Sequence, residues 1–294
     1  AIEEPEAHLQ PHLQRLTYRN FFSRQPPLIL TTHSPHIVSV APIKSLVYLR
    51  KTNQGTKGCS TANIKLNNQQ IHDLERYIDI TRGEIVFGKG VILVEGIAEK
   101  YMIPRFAEIL RHNLDELGIS VCSIDGIDFK PYVVLLRELE IPFVVITDGD
   151  PDIPVPGIQR CIDILKMYNE AEADKINTLP TEKKKKIGLA NYNYFINHIT
   201  LEIEVSAINK DHILSAFKDL GLGGHAIENC RKELEDLNNS TNINSFLSRI
   251  NSIGKGRFSQ RLVEYPLYVP NYIENAIEKL VSLLSADLTD GEGD

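Results

Sequence analysis

Three apolar runs of strand length, each followed by a segment with helical spacing, constrain this chain more than any other feature. Gly90-Val91-Ile92-Leu93-Val94 carries no polar side chain, as expected for a parallel strand covered on both faces. Ile119 to Ser123 and Pro142 to Thr147 read as two further strands, with helices predicted over Ile97 to Leu110 and Pro131 to Leu139. Pro104 lies inside the first of these helices and is expected to kink it or to end its first segment. The resulting βαβαβ order predicts an α/β fold, a parallel sheet flanked by helices on both faces.

The flanks are less regular. Pro11 to Phe22 reads as a helix with Leu13, Leu16 and Phe21 or Phe22 on one side. Leu28-Ile29-Leu30 reads as a short buried strand and Ser45 to Leu49 as another, with the polar turn Thr31-Thr32-His33-Ser34-Pro35 between them. Beyond Pro156 the pattern is largely helical, with Ile199 to Val205 read as one more strand and Tyr272 to Leu284 as a closing amphipathic helix. No apolar run approaches the roughly 18 residues of a membrane span, and the N-terminus lacks the basic start and apolar core of a secretory signal. Cys59, Cys122, Cys161 and Cys230 are scattered without a Cys-x-x-Cys pair. That argues against a zinc site or a disulfide framework and fits a reducing, cytoplasmic setting.

Carboxylates stand where a parallel sheet builds its sites, beyond the carboxyl ends of the strands. Glu95 follows the strand ending at Val94, Gly96 permits a sharp exit, and Glu99 falls on the first turn of the next helix. Asp148 and Asp150 follow the strand ending at Thr147, 53 residues after Glu95. In an extended segment both aspartates face one way, and adjacent strands would bring the two pairs together. Carboxylates so close repel unless cations neutralise them, and hard oxygen ligands select Mg²⁺ or Mn²⁺. Asp148, Asp150 and Asp152 also start like a calcium loop, but that template needs Gly at its sixth position and Glu at its twelfth, where Ile153 and Gln159 stand.

Net charge at first argues against a nucleic-acid partner, since 32 basic and 39 acidic residues leave −7. The deficit is local. Residues 1–89 carry 11 basic and 7 acidic side chains, a net of +4, whereas residues 90–294 carry 21 and 32, a net of −11. The motif carboxylates are part of that excess, and bound divalent cations would reverse the local sign. Lys183 to Lys186 read as a solvated helix face, with phosphate contact as the alternative, and Asp287, Asp290, Glu292 and Asp294 as a frayed acidic tail.

Val94-Glu95-Gly96 with Glu99, followed by Asp148-Gly149-Asp150, resembles the TOPRIM metal-binding domain over about residues 90–159. Ile2-Glu3-Glu4-Pro5-Glu6-Ala7-His8-Leu9-Gln10-Pro11 resembles the Walker B segment of an ABC-type ATPase. Leu28 to His33 with Ser34-Pro35 resembles its last strand and switch histidine. An ABC-type ATPase running into TOPRIM is the order of the OLD (overcoming lysogenisation defect) endonucleases. The run Leu93-Val94-Glu95-Gly96-Ile97-Ala98-Glu99-Lys100-Tyr101-Met102-Ile103-Pro104 is similar to that family, and in particular to its members that serve as nuclease subunits of Gabija anti-phage systems. The implied organisation is the C-terminal part of an ATPase domain over 1–89, a TOPRIM core over 90–160, and TOPRIM completion with a helical subdomain over 161–294.

The resemblance implies further residues. Thr200-Leu201-Glu202 resembles the family's additional acidic element, with Glu202 as ligand and Glu204 a competitor on the same strand face. Lys255-Gly256-Arg257-Phe258 resembles its lysine element, with Arg257 and Arg261 as alternative phosphate contacts. Glu95, Asp148, Asp150 and Lys255 would be catalytic, and two ions would be held by Glu95, Glu99, Asp148, Asp150 and Glu202. In the ATPase part, Glu3 would take the Mg²⁺ position, Glu4 that of the hydrolytic base, and His33 the γ-phosphate contact. No Gly-x-x-x-x-Gly-Lys-Ser/Thr loop occurs in the 294 residues, so the chain resembles the C-terminal part of a longer protein and is not expected to hydrolyse ATP by itself. The implied activity is metal-dependent cleavage of double-stranded DNA, controlled by ATP in the full-length protein. The implied partners are a second copy of the chain and a UvrD-like helicase subunit. A TOPRIM topoisomerase or primase fragment is one alternative, although no primase-type zinc motif occurs and none of the 11 tyrosines stands out as an attacking group. A non-catalytic regulatory or assembly module is another.

Overall fold

The computed structural model describes residues 1–24, 28–52, 55–78 and 83–289; Asp290, Glu292 and Asp294 of the acidic tail lie outside the described residues. Ile2–Glu3 (β1) and Leu30–Thr31 (β2) form a short parallel pair, with Pro11–Ser23 (α1) between them and Pro11 in its first turn, where its missing N–H costs nothing. The apolar side of α1 does not turn inward: Leu13, Leu16 and Phe21 are exposed. The helix instead buries Tyr18 and Gln14, whose amide donates to the Leu9 carbonyl at 2.8 Å and accepts from Ser34 Oγ at 2.6 Å.

The strand expected from Ser45 begins later, because Ile43–Ser45 is a 3₁₀ turn. Val47–Thr52 (β3) pairs antiparallel with Gly55–Ser60 (β4), a partner whose Gly, Lys and Ser content hides its strand character. Buried residues from Val38 to Val86 then join the same apolar cluster as one face of the central sheet.

That sheet has the order β6-β5-β7-β8 and is parallel throughout. Its strands are Gly90–Val94 (β5), Ile119–Ser123 (β6), Phe143–Thr147 (β7) and Tyr194–Ile196 (β8). Side chains alternate across a strand, so Val91, Leu93 and Val145 enter one core while Ile92, Val94, Val144 and Ile146 enter another. Every residue of β5 and β7 is buried, which explains why both read as unbroken apolar runs.

Helices cover both faces. Ile97–Ile109 (α2) continues through Pro104 instead of ending there. Lys130–Glu138 (α3), Gly157–Lys166 (α4) and Glu182–Ala190 (α5) follow. Leu201–Ile208 (α6) occupies the segment expected as a strand. The alternation Ile199-Thr200-Leu201-Glu202-Ile203-Glu204-Val205 imitates a strand, but the carboxylate of Asp148 accepts the Leu201 N–H at 3.0 Å and so satisfies a donor at the helix start. Lys255–Leu262 (α7) packs against α2, and Asn271–Thr289 (α8) closes one face of the sheet. No helix among the described residues is long and apolar enough to cross a membrane.

Candidate functional site

The carboxyl ends of β5 and β7 lie side by side, with Val94 opposite Ile146, so Glu95 and Asp148 leave the sheet next to each other. Glu95 Oε1 accepts from the Asp148 N–H at 2.9 Å, from Arg160 Nη2 at 2.9 Å, and from the Thr147 hydroxyl. Asp148 Oδ1 accepts from Asn197 Nδ2 at 2.6 Å and from the Leu201 N–H at 3.0 Å. Asp150 Oδ2 accepts from Arg160 Nη1 at 3.1 Å. Glu202 Oε1 pairs with Lys255 Nζ at 2.8 Å, while its buried Oε2 has no partner. Among the described residues, each of these four carboxylates therefore has one oxygen held by protein donors and a second that accepts no hydrogen bond. Glu99, only 6% exposed on the first turn of α2, completes the group.

The electrostatics agree with this crowding. Burial pushes the Glu99 carboxyl up to about 7, and neighbouring Glu202 and Glu95 add to the rise. Burial also raises Asp148, reinforced by Glu95, Glu99 and Glu202, and it raises Glu95 against the opposing hydrogen bonds from Thr147 and Asp148. Burial works against the Lys255 ammonium, but Glu202, Asp148 and Glu99 together hold its pKa above the ordinary lysine value. Among the described residues no three of His, Cys, Asp or Glu are spaced to cage an ion as they stand; Arg160 instead bridges Glu95 and Asp150, and Lys255 pairs with Glu202. The donor set is nonetheless all carboxylate oxygen, and the orphaned Glu202 Oε2 lies within it, so the residues fit a hard divalent cation.

Of the residues singled out in the sequence, Glu95, Glu99, Asp148, Asp150, Glu202 and Lys255 come together. Glu204 does not join them. Its carboxylate caps the His198 N–H at 2.8 Å, because on a helix, unlike on a strand, positions two apart point in different directions. The two aspartates also differ from the extended arrangement expected. Asp150 takes a left-handed backbone conformation at φ 42° and is drawn back by Arg160. Arg261 pairs with Glu264 one turn on at 2.6 Å, and Arg257 is exposed. Lys183 and Lys184 lie on a solvated face, but Lys186 turns inward and donates to the Asn197 carbonyl at 2.6 Å.

Glu3, Glu4 and His33 gather on the β1–β2 pair and not at this site. His33 Nε2 is 4.0 Å from Glu4, with both side chains exposed. Glu6, which sequence reasoning passed over, accepts from Thr32 Oγ1 and the His33 N–H at 2.7 Å each.

Three supporting residues were also missed. Arg160 and Asn197 each stand alone in sequence, without a motif around them, and Thr147 was read only as strand. Gly149, by contrast, stands inside the Asp148-Gly149-Asp150 motif, and the structure gives its reason: the loop passes so close to the end of β8 that a Cβ at Gly149 would collide with the His198 carbonyl oxygen. Gly149→Ala is therefore expected to cost about 1–3 kcal/mol through overpacking, measured by urea denaturation, and to weaken any function of Asp148 with it. Unchanged stability would contradict this packing.

Residues 86–150 match the family model described as overcoming lysogenization defect protein-like, TOPRIM domain. The C-terminal region of the Burkholderia pseudomallei OLD protein superposes with a TM-score of 0.60 at 35% identity, over 67% of this chain and 99% of that one. Endonuclease GajA of Bacillus cereus (strain HuB5-5) is 26% identical over 218 residues, 63% of this chain and 30% of its own length. The OLD nuclease of Thermus scotoductus is 29% identical over 159 residues, 51% of this chain and 30% of its own length. This chain thus spans about a third of the length of the curated relatives it matches. With that identity and coverage over a parallel sheet bearing Glu95, Glu99, Asp148 and Asp150 at its strand ends, the chain belongs to the OLD family, and about two thirds of it superposes on C-terminal regions of OLD proteins.

Proposed function

We propose that this chain carries the cutting centre of a divalent-metal-dependent endonuclease that hydrolyses phosphodiester bonds in double-stranded DNA. The observation that carries the reading is the set of carboxylates with one oxygen held by the protein and one left open. Glu95, Glu99, Asp148, Asp150 and Glu202 would hold two Mg²⁺ or Mn²⁺ ions. When bound, such ions activate water and stabilise the leaving oxygen.

The protein's own groups set the stage. Asn197, Thr147 and the Asp148 and Leu201 N–H groups fix which carboxylate oxygens face the open side. The Lys255 ammonium, 43% exposed by its side chain, is placed to meet a phosphate and balance its charge. Exposed Arg257 would contact the backbone of the duplex. The names of the relatives support nuclease chemistry.

The rest of the reading follows from the family resemblance. Residues 1–89 would belong to an ABC-type ATPase domain in which Glu3 binds Mg²⁺, Glu4 acts as hydrolytic base and His33 meets the γ-phosphate of ATP. Residues 90–160 would form the TOPRIM core, and 161–294 its completion. The full-length protein would act in the cytoplasm as a homo-oligomer, in anti-phage defence and alongside a UvrD-like helicase subunit.

The test is plasmid cleavage with Mg²⁺ or Mn²⁺ against an EDTA control, using wild-type protein, Glu202→Gln and Glu204→Gln. Glu202→Gln is expected to reduce cleavage by at least about 10²-fold, whereas Glu204→Gln stays within a few-fold of wild type. Equal losses would refute the ligand assignment. Products covalently attached to protein would instead indicate a strand-passing TOPRIM enzyme, and ion uptake without any cleavage a binding module.

A further inference from the structure

Arg160 is the only buried lysine or arginine among the described residues, at 8% exposure, and the cutting chemistry proposed above gives it no role. Its placement is built, not incidental. It lies on the first turn of α4, which approaches the Asp-Gly-Asp loop so closely that a Cβ at Gly157 would lie 2.0 Å from the Asp148 carbonyl oxygen. The Gly157 N–H also donates to the Gly149 carbonyl at 2.9 Å. The helix start is thereby pinned to the loop, and the guanidinium beneath it is aimed at the ends of β5 and β7.

Its partners are specific. Nη2 reaches Glu95 Oε1 at 2.9 Å, Thr147 Oγ1 at 3.0 Å, the Asp148 carbonyl at 3.1 Å and Asp150 Oδ2 at 3.2 Å. Nη1 reaches Asp150 Oδ2 at 3.1 Å and the Val155 carbonyl at 3.3 Å. One rigid fork thus bridges carboxylates from two strands, a geometry that suits guanidinium and not ammonium. A cation this buried does not reach a DNA phosphate. A positive charge set between two carboxylates does what a divalent ion would otherwise do there: it suppresses their repulsion.

We propose that Arg160 is a built-in counter-cation that holds Glu95 and Asp150 together in the metal-free protein and competes with divalent ions for them. The proposal rests on the reading of the carboxylate cluster as a metal centre. Arg160 is a positioning residue; it keeps the cluster folded before loading, and an ion on the open oxygen of Glu95 or Asp150 shares that carboxylate's charge with the guanidinium on the other oxygen, so the two cations oppose each other.

The test compares wild type, Arg160→Gln, Arg160→Lys and the pair Glu95→Gln/Arg160→Gln. Melted in EDTA, Arg160→Gln is expected to lose more than about 5 °C in Tm because two half-buried carboxylates lose their shared partner. Removing the Glu95 charge in the same background should restore at least half of that loss. In Mn²⁺ titrations by calorimetry, Arg160→Gln should bind at least about tenfold more tightly than wild type, because the competitor has gone. Arg160→Lys, which keeps the charge but not the fork, should fall between them, and it decides the case if Arg160→Gln does not fold. Mn²⁺ affinity at or below wild type in either single variant would overturn the proposal, as would identical melting of the single and double variants. Absence of Mn²⁺ binding by wild type would sink the metal centre and the competition with it, while the EDTA pair would still decide whether Arg160 neutralises Glu95.

Discussion

Asp148→Asn is expected to lower DNA cleavage by about 10³-fold or more while leaving the metal-free protein as stable as wild type, or more so. Asparagine keeps an oxygen that can accept from Asn197 Nδ2 and the Leu201 N–H, so the loop and the start of α6 retain their anchor. What disappears is one negative charge in a buried group with Glu95, Glu99 and Glu202 around it. The sign follows from linkage. Burial raises the Asp148 carboxyl, so the folded state binds its proton more tightly than the unfolded chain does, and ionising it at neutral pH weakens the fold. A neutral amide removes that penalty together with the ligand, a trade common at functional sites. Melting in EDTA and in Mn²⁺ measures both halves: Tm without metal should not fall, and the rise produced by Mn²⁺ should shrink or vanish. Cleavage within tenfold of wild type would remove Asp148 from the site.

The central sheet was legible because fully buried parallel strands have no polar face to hide in, so β5 and β7 announce themselves as unbroken apolar runs. The same strand ends made Glu95, Glu99, Asp148 and Asp150 visible, since each follows its strand directly or within one helical turn. The segment after β8 was misread for a physical reason. Its alternating pattern reports that both faces of α6 are buried, as Leu201, Glu202, Ile203, Val205 and Ser206 show, and periodicity cannot separate a strand from a helix buried all round. Arg160 and Asn197 carried no signal because their partners are long-range. Arg160 meets Glu95 across 65 positions and Asn197 meets Asp148 across 49, and only the return of α4 and β8 to the same strand ends brings them there. β8 itself, three residues long and preceded by Asn191, Tyr192 and Asn193, was too short for its period to register.

Lys255→Ala is expected to lower cleavage at saturating Mn²⁺ by about 10²–10³-fold without lowering Mn²⁺ affinity. The distinction from Arg160 is exposure. The Lys255 side chain is 43% exposed and that of Arg160 is 8% exposed, so only the lysine is open to the side from which a phosphate arrives. Its ammonium rests on Glu202 Oε1 at 2.8 Å, on the first turn of a helix packed against α2. It is therefore held by the same carboxylate proposed as a ligand, and an ion that takes charge from Glu202 would free the lysine to turn toward the DNA. Two readouts separate this role from simple neutralisation of Glu202. If Lys255 contacts the scissile phosphate, the slope of log affinity for DNA against log salt should shrink by about one in Lys255→Ala. Lys255→Arg should restore the slope but not the rate, because a planar fork does not reproduce a point charge. If the lysine only balances Glu202, Lys255→Ala should lose stability in EDTA, recover it in Mn²⁺ and then cleave at the wild-type rate, and that result would remove Lys255 from the reaction.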